Sequence, residues 1–269
     1  MKILILGDVM GVSGRKAIQN NLKKIVDINQ INFTILNGEN AADDGRGITK
    51  QIAEEFFSLG VDVITSGNHI WDKEETVEFI NHENRLLRPA NLAEGSPGKG
   101  YGVYLTKDKK FKVGVINLMG NVFMRKTDDV FEIAKKIKEK IILKKNADFI
   151  VVDFHGEITS EKNAIGHYFD GKASLVVGTH THIPTNDARI LKGGTGYQTD
   201  AGMCGDYNSV IGMNAENSLN RFLKKNSVKH FPAIGDATLC GVIVECDINT
   251  GLASNIESYI FGAQLKNTH

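Results

Sequence analysis

Short apolar runs alternate along this chain with longer stretches in which apolar residues recur every three or four positions. The runs cover residues 3–6, 33–36, 61–64, 113–116, 149–152 and 175–177. They are rich in β-branched residues and continuous rather than alternating, as strands covered on both faces must be. Between the first two lies GRKAIQNNLKKIVDINQ, with Ala17, Ile18, Leu22, Ile25 and Val26 on one helical face. The stretch ITKQIAEEFFSLG repeats the pattern with Ile48, Ile52, Phe56 and Leu59, and Gly60 suits a helix end. In DDVFEIAKKIKEKIILKK the stripe is Val130, Ile133, Ile137 and Ile141, with lysines crowding the end. Beyond it, GVIVECDIN and NIESYIFGA predict a hairpin turning around Asn249, Thr250 and Gly251, and GYGVYLT with KFKVGVINL predicts another pair of strands. The rhythm is α/β, with two packed mixed sheets flanked by helices. No linker or repeat interrupts it, so a single domain over residues 1–269 is expected.

Composition narrows the field. The 32 Lys and Arg balance 32 Asp and Glu, which argues against a chain-wide electrostatic grip on nucleic acid or an anionic membrane. Three cysteines, Cys204, Cys240 and Cys246, fit free thiols in a reducing cytoplasm better than a disulfide framework. The opening MKILILGDVMG holds too short an apolar run for a signal peptide, and no stretch is long and apolar enough to span a membrane. A cytoplasmic protein without a membrane partner is the expectation.

The chemistry collects where the strands end. The first run ends in Asp8, the second in Glu39 and Asn40, the third in Asn68 and His69. The run from Phe149 reaches His155, and the run from Leu175 reaches His180 and His182. If the last strand continued, His180 and His182, two apart, would point to one side. Ligands of open α/β sheets bind beyond the carboxyl ends of the strands. Each residue alone has a plainer use: Asp8 as a cap, Glu39 and Asn40 in a polar turn, His155 as a bonded core histidine. Together they are too many donors for one metal ion, and two ions sharing a carboxylate account for them better. His82, His167, His230 and His269 lie outside such strand ends. The glycines of GDVMGVSG do not follow the dinucleotide-binding spacing, and the P-loop lysine is missing, which sets aside a nucleotide-binding oxidoreductase.

The ordered pattern D, GEN, GNH, H, GTHTH resembles the calcineurin-like metallophosphoesterases, which carry D-x-H, G-D, G-N-H, a lone His and G-H-x-H in that order. The stretches GDVMGVSGR, NGEN, GNHIWD, VVDFHGEITSEKNA, GTHTHIPT and YQTDAGMCG are similar to the YmdB-like branch of that superfamily, bacterial phosphodiesterases with Glu in place of the usual bridging Asp. The resemblance implies a four-layer α-β-β-α sandwich. It also implies roles. Glu39 bridges two ions, Asp8, Asn40 and His182 complete one site, and Asn68, His155 and His180 complete the other. His69 gives a proton to the leaving oxygen, and Thr181 turns away between the two histidines. Met10 stands where the wider superfamily has a histidine and is expected to pack against the core.

These implications fix an expected activity. The resemblance favours iron, while the mixed oxygen and nitrogen donors also suit manganese or zinc. Two divalent ions, two carboxylates and a bridging hydroxide leave the centre about +1, attractive to a phosphate anion. The expected activity is hydrolysis of small phosphodiesters such as 2′,3′-cyclic nucleotides, with the metal-bridging hydroxide as nucleophile. A phosphomonoesterase, an RNA-cleaving enzyme and a regulatory protein with structural metals are the alternatives; the last has no use for an unliganded His69. The expected partner is a small phosphodiester or nucleotide, without bulk nucleic-acid binding. A homo-oligomer is compatible with the sequence.

Overall fold

The computed structural model describes residues 1–225 and 229–268. The chain opens with β1 (Lys2–Leu6), β2 (Asp8–Val9), α1 (Gly11–Asn29), β3 (Phe33–Asn37), α2 (Lys50–Ser58), β4 (Val63–Thr65) and α3 (Glu74–Phe79). Next come β5 (Tyr101–Leu105), β6 (Lys112–Met119), α4 (Val130–Lys140), β7 (Phe149–His155), α5 (Thr159–Tyr168) and β8 (Leu175–Thr179). The last part holds β9 (Arg189–Ile190), β10 (Gly196–Gln198), β11 (Met203–Cys204), α6 (Ala215–Phe222), β12 (Thr238–Cys246) and β13 (Ala253–Gly262). One large sheet runs β13-β12-β1-β3-β4, a second runs β5-β6-β7-β8-β10-β9, and β11 with β2 forms a two-stranded ladder. Both large sheets are mixed. The first pairs β1, β3 and β4 in parallel and adds an antiparallel hairpin; the second is parallel from β6 to β10 with antiparallel edges.

The pleat sorts the apolar residues into three cores. Ile3, Ile5, Phe33 and Ile35 of one sheet meet Val113, Val115, Phe149, Val151 and Leu175 of the other. The alternate residues face outward. Leu4, Leu6 and Leu36 pack under Ile18, Leu22 and Ile25 of α1 and Ile52 and Phe56 of α2. Ile116, Leu118, Ile150 and Val152 pack under Val130, Ala134 and Ile137 of α4 and Ile165 of α5. Helices, sheet, sheet and helices therefore make four layers. Both sheets are buried on both faces, which is why their strands are continuously apolar.

Several boundaries differ from the expectation. The third strand starts at Val63 rather than residue 61, because α2 closes with Gly60 N bonded to Phe57 O and Val61 N to Phe56 O, both at 3.1 Å. Gly60 takes φ +100°, the left-handed turn that ends such helices. The helix predicted to 145 stops at Lys140, capped at its start by Asp129. The strand expected to carry His180 and His182 stops at Thr179, and both histidines have positive φ, 96° and 67°. They sit on a strained turn, not on one face of a strand. The helices α3, α5 and α6 were not foreseen. In α5 the buried residues include Glu161, Lys162 and Gly166, so no apolar stripe marks it.

Candidate metal centre

The parallel strands of both sheets end at one edge, and there the candidate side chains converge. Glu39 and Asn40 follow β3, Asn68 and His69 follow β4, His155 closes β7, and His180 and His182 follow β8. Asp8 is held by a two-stranded ladder in which it pairs with Met203. A polar staple sets the two sheets in register at this edge. Asp153 accepts bonds from Asn37 Nδ2 at 3.1 Å, Thr65 Oγ1 at 2.5 Å and Thr179 Oγ1 at 2.7 Å, and all four side chains are buried.

Four donor-type atoms meet with one proton at most to share among them. His155 Nε2 lies 3.0 Å from Glu39 Oε1, 3.1 Å from Asn68 Oδ1 and 3.0 Å from His180 Nδ1. One N–H cannot serve three acceptors, whereas one cation can. Nearby, His182 Nε2 lies 3.2 Å from Asn40 Oδ1. Asp8 adjoins both groups: its Oδ2 accepts from His180 N at 3.0 Å, and its Oδ1 lies 3.6 Å from His155 Nδ1. That Oδ1 is buried and has no hydrogen-bond partner, a costly state unless a cation is close.

The surroundings aim these atoms inward. His155 Nδ1 bonds Thr179 Oγ1 at 2.9 Å, His180 Nε2 bonds Glu157 Oε2 at 3.1 Å, and His182 Nδ1 bonds Ile211 O at 2.7 Å. With those nitrogens donating outward, the other nitrogen of each ring presents a lone pair to the centre, the arrangement metal-binding histidines adopt. Asn40 Nδ2 donates to Gly45 O at 2.9 Å, which turns its oxygen inward too. Gly67 leaves the room: a Cβ there would sit 2.3 Å from Glu39 Oε2 and 2.2 Å from His155 Cδ2.

Electrostatics give the same reading. Burial pushes the Asp8 carboxyl up to about 6. Burial acts the same way on Glu39, but the charge and hydrogen bond of His155, with His69, outweigh it and hold Glu39 at about 2. Burial alone would lower His155; Glu39, Asp8 and Asp153 instead raise it to about 9. Burial and the His155 charge depress His180 to about 3. The pocket demands positive charge at the His155 Nε2 position, and a divalent ion meets that demand.

His69 stands apart from the cluster. Its backbone N–H donates to Glu39 Oε2 at 3.1 Å, while its ring Nδ1 bonds Asp72 Oδ2 at 2.8 Å. Arg125 reaches the other Asp72 oxygen at 3.5 Å. The ring's Nε2 is left without a partner among the described residues. Thr181 does turn away, bonding Asp200 through N and Oγ1 at 3.2 and 2.7 Å. Met10 is buried, its tip close enough that a Cβ on Gly45 would lie 2.6 Å from Met10 Cε. His82 and His167 are exposed, His230 bonds Ser218 at 3.0 Å, and His269 lies outside the described residues. The residues not foreseen are Asp72, Asp153, Glu157 and Ile211. Asp72 and Glu157 had a signal, a carboxylate three positions after His69 and two after His155; the Ile211 carbonyl had none.

The fold and this convergence of donors define the metallophosphoesterase class. The 5′-nucleotidase of Candida albicans shares the fold, with a TM-score of 0.58 at 14% identity, over 96% of this chain and 51% of that one. Nearer likenesses narrow the class. The 2′,3′-cyclic-nucleotide 2′-phosphodiesterase of Bacillus subtilis is 44% identical over 257 residues, which is 96% of this chain and 96% of that protein. The crystal structure of a novel phosphatase from Mycoplasma pneumoniae superposes with a TM-score of 0.89 at 36% identity, covering 97% of this chain and 93% of the other. The YmdB-like protein family matches residues 4–259, and the chain belongs to that family.

Proposed function

We propose that this chain is a dinuclear metal-dependent phosphodiesterase that hydrolyses small phosphodiesters of the 2′,3′-cyclic nucleotide type. The observation that carries it is the meeting of Glu39 Oε1, Asn68 Oδ1, His155 Nε2 and His180 Nδ1, beside an unpartnered Asp8 Oδ1 and a histidine that joins neither group. Those four residues would hold one ion, Asp8, Asn40 and His182 would hold the other, and Glu39, whose charge acts on Asp8, would serve both. Three imidazoles, two carboxylates and two amide oxygens with no thiolate suit iron, manganese or zinc rather than calcium. Iron is the metal we favour.

Bound ions supply charge that acidifies water and neutralises the phosphate oxygens. The chain's own residues do the rest. A water-derived oxygen bonds to phosphorus as the P–O2′ bond breaks, and the leaving O2′ takes a proton from His69 Nε2. Asp72 holds the ring by Nδ1 and stabilises its cationic form. Asn68 binds without adding negative charge, so the centre stays attractive to an anion. The bond broken follows the name of the Bacillus subtilis relative.

We place the enzyme in the cytoplasm. Its three cysteines are free and buried, and no helix among the described residues is long and apolar enough to cross a membrane. The test is elemental analysis of purified protein alongside hydrolysis of matched phosphomonoesters and phosphodiesters. About two metals per chain and faster turnover of diesters are expected; a metal-free, inactive protein, or one that takes only monoesters, overturns the reading.

A further inference from the structure

Beside the metal centre, a cavity of about 440 Å³ opens between the loop after β3, the 210–213 turn and α6. Arg46, Ile211, Ser218, Arg221, Phe222 and His230 line it, and no acidic side chain does. Two bonds tether it to the centre. Ile211 O accepts from His182 Nδ1 at 2.7 Å, and Gly45 O, one residue before Arg46, accepts from Asn40 Nδ2 at 2.9 Å. The cavity therefore adjoins the Asp8, Asn40 and His182 side.

Its charges are unspent. The Arg46 and Arg221 guanidinium groups make no hydrogen bond or ion pair with any described residue. The two lie close enough to His230 that their charges, after its burial, lower its pKa. Two exposed arginines that pair with no carboxylate leave the cavity mouth positive, a surface that attracts an anion. Phe222 on the wall is 79% exposed, so one of its faces is unused by the core. Paired arginines recognise phosphate oxygens by forked hydrogen bonds, and an exposed aromatic face stacks a base.

We propose that this cavity is a second phosphate subsite, which holds the 5′-phosphoryl group of a nucleotide whose 2′,3′-cyclic phosphate lies at the metal centre. The inference rests on the phosphodiesterase reading and sharpens it. The substrate is a cyclic phosphate with a further phosphate on its 5′ side, as in a 5′-phosphorylated nucleotide or at the 3′ end of an oligoribonucleotide. Phe222 lies against the base.

The experiment compares kcat/KM for three substrates: adenosine 2′,3′-cyclic phosphate, its 5′-phosphorylated form, and a diadenylate ending in a 2′,3′-cyclic phosphate. Each is run with wild type and with the Arg46→Ala, Arg221→Ala and Arg221→Lys variants. A charge-assisted arginine contact makes a 10- to 100-fold preference reasonable, so wild type should favour a 5′-phosphorylated substrate by roughly that factor. Each alanine variant should lose most of the preference, and Arg221→Lys should keep part of it. Because the readout is a ratio within one preparation, partial misfolding cancels. Preference for the first phosphorylated form alone identifies a mononucleotide; preference for the diadenylate as well identifies an RNA end. Equal rates on all three, or a preference that survives both alanine variants, overturn the subsite and leave the phosphodiesterase reading intact. No hydrolysis of any of the three by metal-loaded wild type overturns both.

Discussion

Lys162 Nζ lies 2.5 Å from Asp200 Oδ2, and both side chains are 1% exposed. The same carboxylate takes the Thr181 N–H and hydroxyl, and its other oxygen takes Gly202 N at 2.8 Å. The pair thus clamps the turn on which His180 and His182 adopt positive φ. A strained backbone of this kind persists only where its surroundings over-determine it. Lys162→Met leaves Asp200 buried without its cation, and removing one partner of a buried pair costs about 3–5 kcal/mol. Urea unfolding should show that loss, and Asp200→Asn added to Lys162→Met should recover much of it. A loss no larger than that of an exposed pair, about 1 kcal/mol, would deny the clamp its role.

Glu39→Gln keeps the shape of the side chain and removes one charge from the centre. Hydrolysis should fall by about 10²–10³-fold, the scale of losing transition-state charge stabilisation, and metal content should drop while the fold persists. Metal analysis, circular dichroism and turnover on one preparation check this. Near-normal activity with two bound ions would remove Glu39 from the bridging position.

His69 predicts a dependence on the leaving group. A general acid supplies about 10²–10⁴-fold in rate, and most when the departing oxygen is a poor leaving group. His69→Ala should slow a ribose ester by that range and a nitrophenyl ester far less, with metal content hardly changed. Asp72→Asn should show the same selectivity in weaker form, because Asp72 holds the His69 ring rather than touching the leaving oxygen. Equal losses on both esters, or lost metal, would assign His69 elsewhere.

The apolar strands were readable because both sheets are covered on both faces, so Ile3–Leu6 and their counterparts carry their burial in their composition. The meeting of the candidate side chains was readable for a related reason: a charged or polar residue at the end of such a strand has few structural uses. What stayed hidden depends on distance in the fold. Asp153 looks like one polar residue inside an apolar run until Asn37, Thr65 and Thr179 arrive from three other strands. Lys162 sits on a helix without an apolar stripe and finds Asp200 across 38 residues. The turn at His180 and His182 was misread as strand because positive φ at a histidine leaves no mark in the sequence.

The two metal positions should differ in strength. The inward nitrogen of His155 meets Asn68 and the inward nitrogen of His180, while His182 is the imidazole whose Nε2 meets Asn40. Met10 does not redress this, since its side chain packs toward Gly45 and Gly212, where a Cβ would lie 2.6 and 2.5 Å from it. An amide oxygen is a neutral, weaker donor to iron, manganese or zinc than an imidazole nitrogen. A chelator should therefore empty the Asp8, Asn40 and His182 position first. Metal content followed against time should show two phases, with activity lost in the first. His182→Ala should leave about one ion bound, whereas His155→Ala should lower binding at both positions, because its ring also adjoins Glu39 and Asp8. Release of both ions in a single phase, or a His182→Ala protein that still binds two, would show that the positions are not unequal in this way.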